Sequence, residues 1–210
     1  MKNSEHPIFL ESVKYIRSKI GLTGLSNVQQ SILERIIHSS GELSMQSMLR
    51  FSPSACTIAM NALRNGAKIL TDTYMAEAAV SPVSRRTLNS QIKCILEMAP
   101  ECIDSSSTTR SAIGMSTMWL DLETKEEFSA APIVAIGSAP TALMALLDLI
   151  DRGSMKPSLI IGMPVGFIGV SESKTRLLAS DCPHIVLEGS RGGASLAAAT
   201  LNALLKAADY

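Results

Sequence analysis

Hydrophobic positions along the chain follow two alternating patterns. Apolar residues spaced three and four apart predict amphipathic helices over residues 8–20, from near Ser26 to His38, and over 52–66. Beyond residue 110, helical patterns alternate with runs of four to six aliphatic residues, which predict buried strands. This alternation is typical of parallel strands joined by right-handed crossovers, with helices on both faces of the sheet.

The order of these elements predicts the fold class. Strands are expected at 67–72, 92–96, 132–137, 157–164 and 184–189, and further helices near 83–89 and at 111–123, 139–153, 171–180 and 193–209. We therefore predict an α/β fold, a three-layer sandwich with a mostly parallel sheet of about five strands and helices on both faces. No linker or repeat interrupts the pattern, so residues 1–210 are expected to form a single domain.

The second predicted helix carries the first candidate for chemistry. Its "SNVQ" start has the form of a capping box between Ser26 and Gln29. Glu34 and Arg35 are expected to face water, and His38 falls in the last turn. A histidine there can be a plain cap, a metal ligand or a proton donor. A cation at a helix end gains about 0.3–1 kcal/mol from the dipole, whereas no second ligand lies at metal-binding spacing.

Composition excludes several classes of protein. The net charge is zero and no basic block occurs, which argues against a nucleic-acid partner. No apolar run reaches the roughly 20 residues of a membrane span, and the N-terminus lacks the apolar centre of a signal peptide. The four cysteines show no C-x-x-C spacing. Free thiols in a reducing cytoplasm are therefore expected, with Cys56 and Cys94 in the core.

Three loops rich in small residues follow predicted strands and predict a ligand site. The loops 137–141, 162–173 and 189–195 each open a helix, so each presents backbone N–H groups and a positive dipole end that favour anions. Arg191 and Lys174 are predicted to pair there with carboxylates. The alternative is that the glycines only permit tight turns. For three loops at one edge of the sheet, a ligand site is the favoured interpretation.

Other residues narrow the chemistry further. No G-x-x-x-x-G-K-[ST] motif is present and no G-x-G-x-x-G motif follows a strand, so the sequence gives little support for a dinucleotide site; without a G-x-S-x-G elbow, a serine nucleophile is not predicted. Arg110 opens a helix against the dipole, which suggests an anionic partner, although an exposed side chain would also explain its position. His184 at the start of a strand is expected to be structural. The last helix is apolar on nearly every side, which suggests that the sheet and a second subunit cover it.

Five segments together resemble one enzyme family. They are "RIIHSSG", "TTRSA", "IVAIGSAPTAL", "LIIGMPVGFIGVSESK" and "EGSRGGASLAAATLNALL", and the resemblance runs from about residue 12 to residue 205. The chain is similar to the precorrin-8X methylmutases, including their cobalt-precorrin-8 counterparts. It departs from the family at Ser138, where Asn is frequent, and at Val13, where Phe is frequent. Both differences concern local packing more than the reaction.

The resemblance implies an isomerase of cobalamin biosynthesis without a cofactor. Such an enzyme moves a methyl group between neighbouring carbons of ring C of a tetrapyrrole, giving hydrogenobyrinic acid or its cobalt form, cobyrinic acid. By resemblance, His38 protonates the macrocycle, and Arg110 and Ser12 lie at the substrate. The resemblance also implies a homodimer that binds the macrocycle at the subunit interface. The other predicted substrate contacts are Thr109, Ser138, Lys174, Arg191 and Gly192.

Two rival functions remain open. The first is a nucleotide-dependent oxidoreductase or methyltransferase on a Rossmann-like sheet, against which the missing glycine fingerprint argues. The second is a non-catalytic tetrapyrrole carrier. A carrier would bind the ring but cause no spectral change with precorrin-8X.

Overall fold

A computed structural model describes residues 6–102, 108–125 and 129–209. The strands are β1 Leu49–Phe51, β2 Ile69–Thr71, β3 Ile92–Cys94, β4 Ile133–Ile136, β5 Leu159–Gly162 and β6 His184–Leu187. The helices are α1 Pro7–Ile20, α2 Asn27–Ser40, α3 Met45–Met48, α4 Ala55–Arg64, α5 Tyr74–Ser84, α6 Arg110–Lys125, α7 Pro140–Asp151, α8 Val170–Leu178 and α9 Ala194–Ala208. A 3₁₀ turn, Ile95–Met98, follows β3.

The six strands form one sheet in the order β1-β6-β5-β4-β2-β3. Strands β2 to β6 are parallel, and β1 joins the edge antiparallel to β6. The predicted α/β class with a mostly parallel sheet is confirmed, with one strand more than expected. Strand β1 was missed because its three residues include Arg50, so no aliphatic run marks it.

Helices cover both faces of the sheet, because successive strand residues point to opposite sides. Ile133 and Ala135 of β4 pack with α1, α2, α4, α5 and α9. Val134 and Ile136 pack with α6, α7 and α8. The central strands are fully buried, as expected for a sheet with helices on both sides.

Helix α9 is covered within its own chain. Ten of its fifteen residues are buried, and it packs against α2, α4 and α5 as well as against the sheet. Its apolar composition is thus explained without a second subunit. The apolar sides of α9 are therefore no evidence for a dimer.

Most predicted helix boundaries differ from the structure by one to three residues, and one predicted helix is wrong. Helix α2 begins with the predicted capping box, in which both reciprocal hydrogen bonds form, and it ends at Ser40 before a left-handed Gly41. The helix expected at 83–89 is wrong, since α5 spans Tyr74–Ser84. Thr73 caps α5 by accepting the Ala76 N–H at 3.2 Å. Pro82 has no N–H to donate to the Ala78 carbonyl, which agrees with the end of the helix two residues later at Ser84.

Across the described ranges, no helix combines the length and hydropathy needed to cross a membrane. Cys56 and Cys94 are buried free thiols, as predicted. Burial raises the pKa of each of these two thiols to about 11. Both groups therefore stay protonated at neutral pH and behave as apolar core residues.

Candidate active site

The three small-residue loops meet at the carboxyl edge of the sheet. Three backbone hydrogen bonds join them: Val165 N–H to Gly137 O at 3.2 Å, Gly166 N–H to Ser190 O at 3.1 Å, and Gly193 N–H to Met163 O at 2.9 Å. The predicted common edge is thereby confirmed. These contacts also show that part of the backbone binds neighbouring loops, so fewer N–H groups face solvent than the sequence suggested.

Two glycines of this edge are required by close backbone packing. A Cβ on Gly192 would lie 2.0 Å from the Met163 carbonyl oxygen, and a Cβ on Gly137 would lie 2.6 Å from the Ala194 Cα. Any side chain at either position would force the loops apart. Gly192, predicted as a substrate contact, thus has a packing role that stands independently of any ligand.

A buried carboxylate already occupies the start of α7. Asp72, which directly follows β2, is 1% exposed, and its Oδ2 accepts the N–H groups of Ser138 and Ala139 at 2.6 and 2.8 Å. Burial raises the pKa of this carboxyl group, and the backbone donors oppose the rise. The backbone here therefore cannot bind a substrate anion as predicted. The Ser138 side chain remains exposed at the edge.

Lys174 lies in α8 rather than in a loop, and it holds the last loop in place. Its side chain is 2% exposed, and its Nζ donates to the carbonyl oxygens of Gly189 and Arg191 at 2.7 and 2.6 Å. Burial lowers the pKa of this ammonium to about 8. The predicted direct pairing of Lys174 with a substrate carboxylate is thus replaced by hydrogen bonds to the loop backbone.

Arg191 connects the last loop to α2. Its guanidinium forms an ion pair with Glu42, which lies just past the end of that helix. Both side chains are partly exposed, so this pair contributes little to stability by itself. It does bring the loop 189–195 next to the helix that carries His38. A substrate carboxylate that reached Arg191 would share the guanidinium with Glu42.

His38 lies in a cleft between helices on one face of the sheet. The cleft has a volume of about 240 Å³ and lies between α1, α2, α5 and α9; we call it the α2–α9 cleft. The imidazole Nδ1 lies 2.8 Å from Ser12 Oγ. The Phe9 ring meets the imidazole edge to face, with centroids 5.0 Å apart, and the Arg35 guanidinium lies 4.6 Å from the Phe9 centroid. Ser12 and His38, 26 residues apart, are thus brought together.

An ion pair about one helical turn from His38 fixes α1 against α2. Arg17 Nε and Nη2 donate to the two carboxylate oxygens of Glu34 at 2.6 and 3.2 Å. Glu34 is 4% exposed, so the expectation that it faces water is wrong. The helical pattern could not show this, because the partner that permits its burial lies on another helix.

Thr109 and Arg110 lie on the opposite face, at the start of α6. A groove of about 650 Å³ separates α6 from α7; we call it the α6–α7 groove. At its edge, Thr109 Oγ1 lies 2.7 Å from Thr141 Oγ1. Arg110 is exposed, and its Nε donates to the Pro100 carbonyl at 2.8 Å. The anionic partner expected for Arg110 is therefore not a carboxylate of the described part of this chain.

The predicted site residues thus form three groups, the third of which lies at or holds the loops of the carboxyl edge: Ser138, Lys174, Arg191 and Gly192. Ser12 and His38 belong to the α2–α9 cleft, whereas Thr109 belongs to the α6–α7 groove, with Arg110 beside it at the start of α6. The loops at the carboxyl edge lie between the two helical layers. Sequence analysis missed Phe9 and Asp72. Asp72 carried a usable signal, since a carboxylate directly after a buried strand lies at the ligand edge.

The fold is that of an α/β protein with candidate groups in clefts on both faces of a mostly parallel sheet and at its carboxyl edge. The imidazole of His38, a type of group that can act as general acid or base, lies beside a cavity. Comparison with known proteins gives the family. Residues 7–207 match the profile of the family described as precorrin-8X methylmutase, and the chain belongs to that family. It is therefore an isomerase that moves a methyl group within one molecule.

Curated relatives agree with this assignment along nearly the whole chain. A cobalt-precorrin-8 methylmutase from Synechocystis sp. is 36% identical, covering 96% of this chain and 95% of its own length. A precorrin-8X methylmutase from Pseudomonas aeruginosa is 38% identical, covering 94% and 93%. A crystal structure of precorrin-8X methylmutase from Thermus thermophilus superimposes with a TM-score of 0.83 at 31% identity, covering 97% and 98%.

Proposed function

We propose that this protein uses His38 to assist methyl migration on ring C of precorrin-8X or its cobalt form, in cobalamin biosynthesis. The imidazole gives a proton to the macrocycle as the methyl group moves, and takes it back when the product forms. A rearrangement within one conjugated ring changes no overall oxidation state. It needs a group that exchanges a proton near neutral pH, and histidine is the residue type suited to this.

The observation that carries this proposal is the position of His38. It lines the α2–α9 cleft close to the carboxyl edge, with Ser195 of the first turn of α9 as another lining residue. Ser12, predicted as a substrate contact, lies beside the imidazole, with its Oγ 2.8 Å from Nδ1. Within the described ranges, the two other histidines have structural partners: His6 caps α1 and His184 binds the Cys182 carbonyl.

We further propose that the macrocycle lies between two subunits of a homodimer. The α2–α9 cleft, at about 240 Å³, is smaller than the roughly 300–1,000 Å³ of pockets that enclose drug-sized ligands. A tetrapyrrole with several carboxylate arms is larger still. Thr109 and Arg110 lie in the other helical layer of the same chain. If the α6–α7 groove of a second copy covers the cleft, one ligand contacts His38 of one chain and Thr109 and Arg110 of the other.

The carboxylate arms then meet polar groups from both layers. Arg110 is the exposed cation at the start of α6, and the hydroxyls of Thr109 and Ser138 lie at the same edge. Arg191 binds an arm only by sharing its guanidinium with Glu42. Gly192 and Lys174 act indirectly in this proposal, because they fix the loop that carries Arg191.

One assay separates this function from that of a carrier. The purified protein is mixed with precorrin-8X and, in a parallel reaction, with its cobalt form, and the visible absorption spectrum is followed. Conversion changes the conjugation of the ring, so we expect the substrate bands to be replaced by product bands over many turnovers. A spectrum that keeps the substrate bands although the substrate is bound would identify a carrier and contradict the proposal.

A further inference from the structure

One turn of α1 holds the His38 imidazole on two sides. Ser12 Oγ lies 2.8 Å from Nδ1, and the Phe9 ring meets the imidazole edge to face at 5.0 Å. Phe9 and Ser12 are three residues apart, so both side chains project from the same face of the helix. His38 is exposed, and a solvated imidazole held by nothing else would rotate freely. These contacts fix both the position and the plane of the ring.

The helix that carries these contacts is itself anchored. Val13 and Ile16 of α1 are buried at 8% and 4% exposure. The two hydrogen bonds of the Arg17–Glu34 pair join α1 to α2 about one turn from His38. The distance between Ser12 and His38 is therefore set by core packing and an ion pair, not by the two polar side chains alone.

We propose that Ser12 is a positioning residue: its Oγ accepts a hydrogen bond from His38 Nδ1–H and leaves Nε2 as the atom that exchanges the proton. In the charged imidazolium both nitrogens carry protons, so a hydroxyl at Nδ1 must accept. When Nε2 releases its proton to the macrocycle, the same Nδ1–H···Oγ bond persists. The neutral ring then presents its lone pair at Nε2, ready to take the proton back.

This inference rests on the proposed role of His38, yet it concerns a different residue and predicts a different signature. A direct substrate contact by Ser12 would mainly affect binding. A positioning role affects the chemical step, because the imidazole loses its fixed orientation and tautomer while the substrate still binds.

The first test is a comparison of kinetic constants in Ser12→Ala, Ser12→Thr and Ser18→Ala. Ser12→Ala is expected to lower kcat about tenfold, the effect of about one neutral hydrogen bond, with KM changed less than about twofold. Ser12→Thr restores the hydroxyl and is expected to recover most of the rate. Ser18→Ala is the matched control, because Ser18 Oγ binds the Tyr15 carbonyl of its own helix at 2.7 Å. Unchanged kcat, or a rise in KM alone, in Ser12→Ala would overturn the proposal.

The second test needs no substrate. The chain has three histidines, so imidazole ¹⁵N spectra of protein labelled at histidine are simple, and His38→Ala identifies the signals. Neutral His38 is expected to carry its proton on Nδ1 in the unmodified protein and to become a mixture of tautomers in Ser12→Ala. A proton on Nε2 only, or identical spectra for both proteins, would overturn the proposal.

The two tests keep the inference separate from the proposed function. If His38→Ala turned over normally, the proton-transfer role of histidine would fail, while the spectra would still decide the Ser12–His38 bond. If His38→Ala were inactive and Ser12→Ala fully active with an unchanged tautomer, only the positioning role would fail.

Discussion

The α2–α9 cleft and the α6–α7 groove lie on opposite faces of one sheet and differ in size and chemistry. The cleft, about 240 Å³, contains an imidazole held by a serine and a phenylalanine. The groove, about 650 Å³, is lined by several hydroxyls and begins beside an exposed arginine. The comparison shows that one chain separates the group suited to proton transfer from the groups suited to carboxylates. Because the two regions lie on opposite faces of the sheet, we propose that one ligand uses both by lying between two subunits.

The carboxyl edge of the sheet connects these two regions. Asp72 fixes the start of α7 next to the groove, and Lys174 fixes the last loop, whose Arg191 pairs with Glu42 beyond α2. Both anchors are buried and hydrogen-bonded to backbone atoms. The edge therefore acts as a rigid support for both regions more than as the open anion site that its glycines suggested.

The largest effect is expected when the imidazole is removed from the α2–α9 cleft. We predict that His38→Ala lowers kcat at least about a hundredfold, since general acid catalysis supplies roughly 10²–10⁴ in rate, while substrate binding is largely retained. Turnover with precorrin-8X and a binding titration measure the two quantities. Near-normal turnover would remove this histidine from the mechanism.

The next effect concerns binding at the groove. We predict that Arg110→Ala raises the Kd for the macrocycle at least about tenfold, because a hydrogen bond to a charged group contributes roughly 1.5–3 kcal/mol, with kcat at saturation little changed. Arg86→Ala is the matched control, since Arg86 is also exposed and its Nε also donates to a backbone carbonyl, that of Pro82 at 2.9 Å, outside the groove. An equal Kd for both variants and the unmodified protein would place Arg110 outside the site.

Lys174, which holds the last loop at the carboxyl edge, is expected to make the free energy of unfolding depend on pH. In the folded chain the pKa of Lys174 is about 8, below its ordinary value of 10.5, so the unfolded chain binds one more proton between these pH values. Stability therefore rises with pH across this window. We predict that the free energy of unfolding, relative to Lys174→Met, increases by about 2 kcal/mol from pH 8 to 10.5. Denaturant titrations at both pH values measure it, and a parallel pH dependence of the two proteins would contradict the assignment.

The smallest expected effect tests whether the hydroxyls of the α6–α7 groove bind the substrate. Thr109→Val removes the hydroxyl that lies 2.7 Å from Thr141 and is expected to weaken substrate binding about threefold to tenfold, the range for one neutral hydrogen bond. As a control, Thr124→Val removes a hydroxyl near the far end of α6, where it donates to the Leu120 carbonyl. This variant is expected to leave the Kd for the macrocycle unchanged. If both variants bound the macrocycle alike, the groove edge would not be part of the site.

Much of the fold could be predicted because its signals are local. The aliphatic runs of β4, β5 and β6 are buried on both faces, and the Ser26 capping box marks the start of α2 within four residues. The failures involve short or interrupted signals. Strand β1 has three residues and an arginine at its centre, and α5 contains a proline that obscured its extent.

The site was only partly predictable because the residues that contact each other in it are distant in sequence. The resemblance singled out Ser12 and His38, but not that they touch. Glu34 appeared to be a surface residue until Arg17 was placed beside it. Lys174 was expected to face a ligand, whereas two backbone carbonyls bind it. Each of these facts depends on the packing of separate elements, which periodicity along one chain does not encode.

Subunit complementation between two defective variants tests the shared site most directly. His38→Ala and Arg110→Ala proteins are mixed, dissociated and reassociated, and methyl migration is measured at a substrate concentration well below the Kd of the Arg110 variant. A hybrid dimer then contains one site with both residues intact. Random reassociation makes half of the dimers hybrids with one good site in two, so we predict recovery of about a quarter of the unmodified activity. Activity no greater than that of the unmixed variants would mean that His38 and Arg110 act within one chain, and would contradict the account.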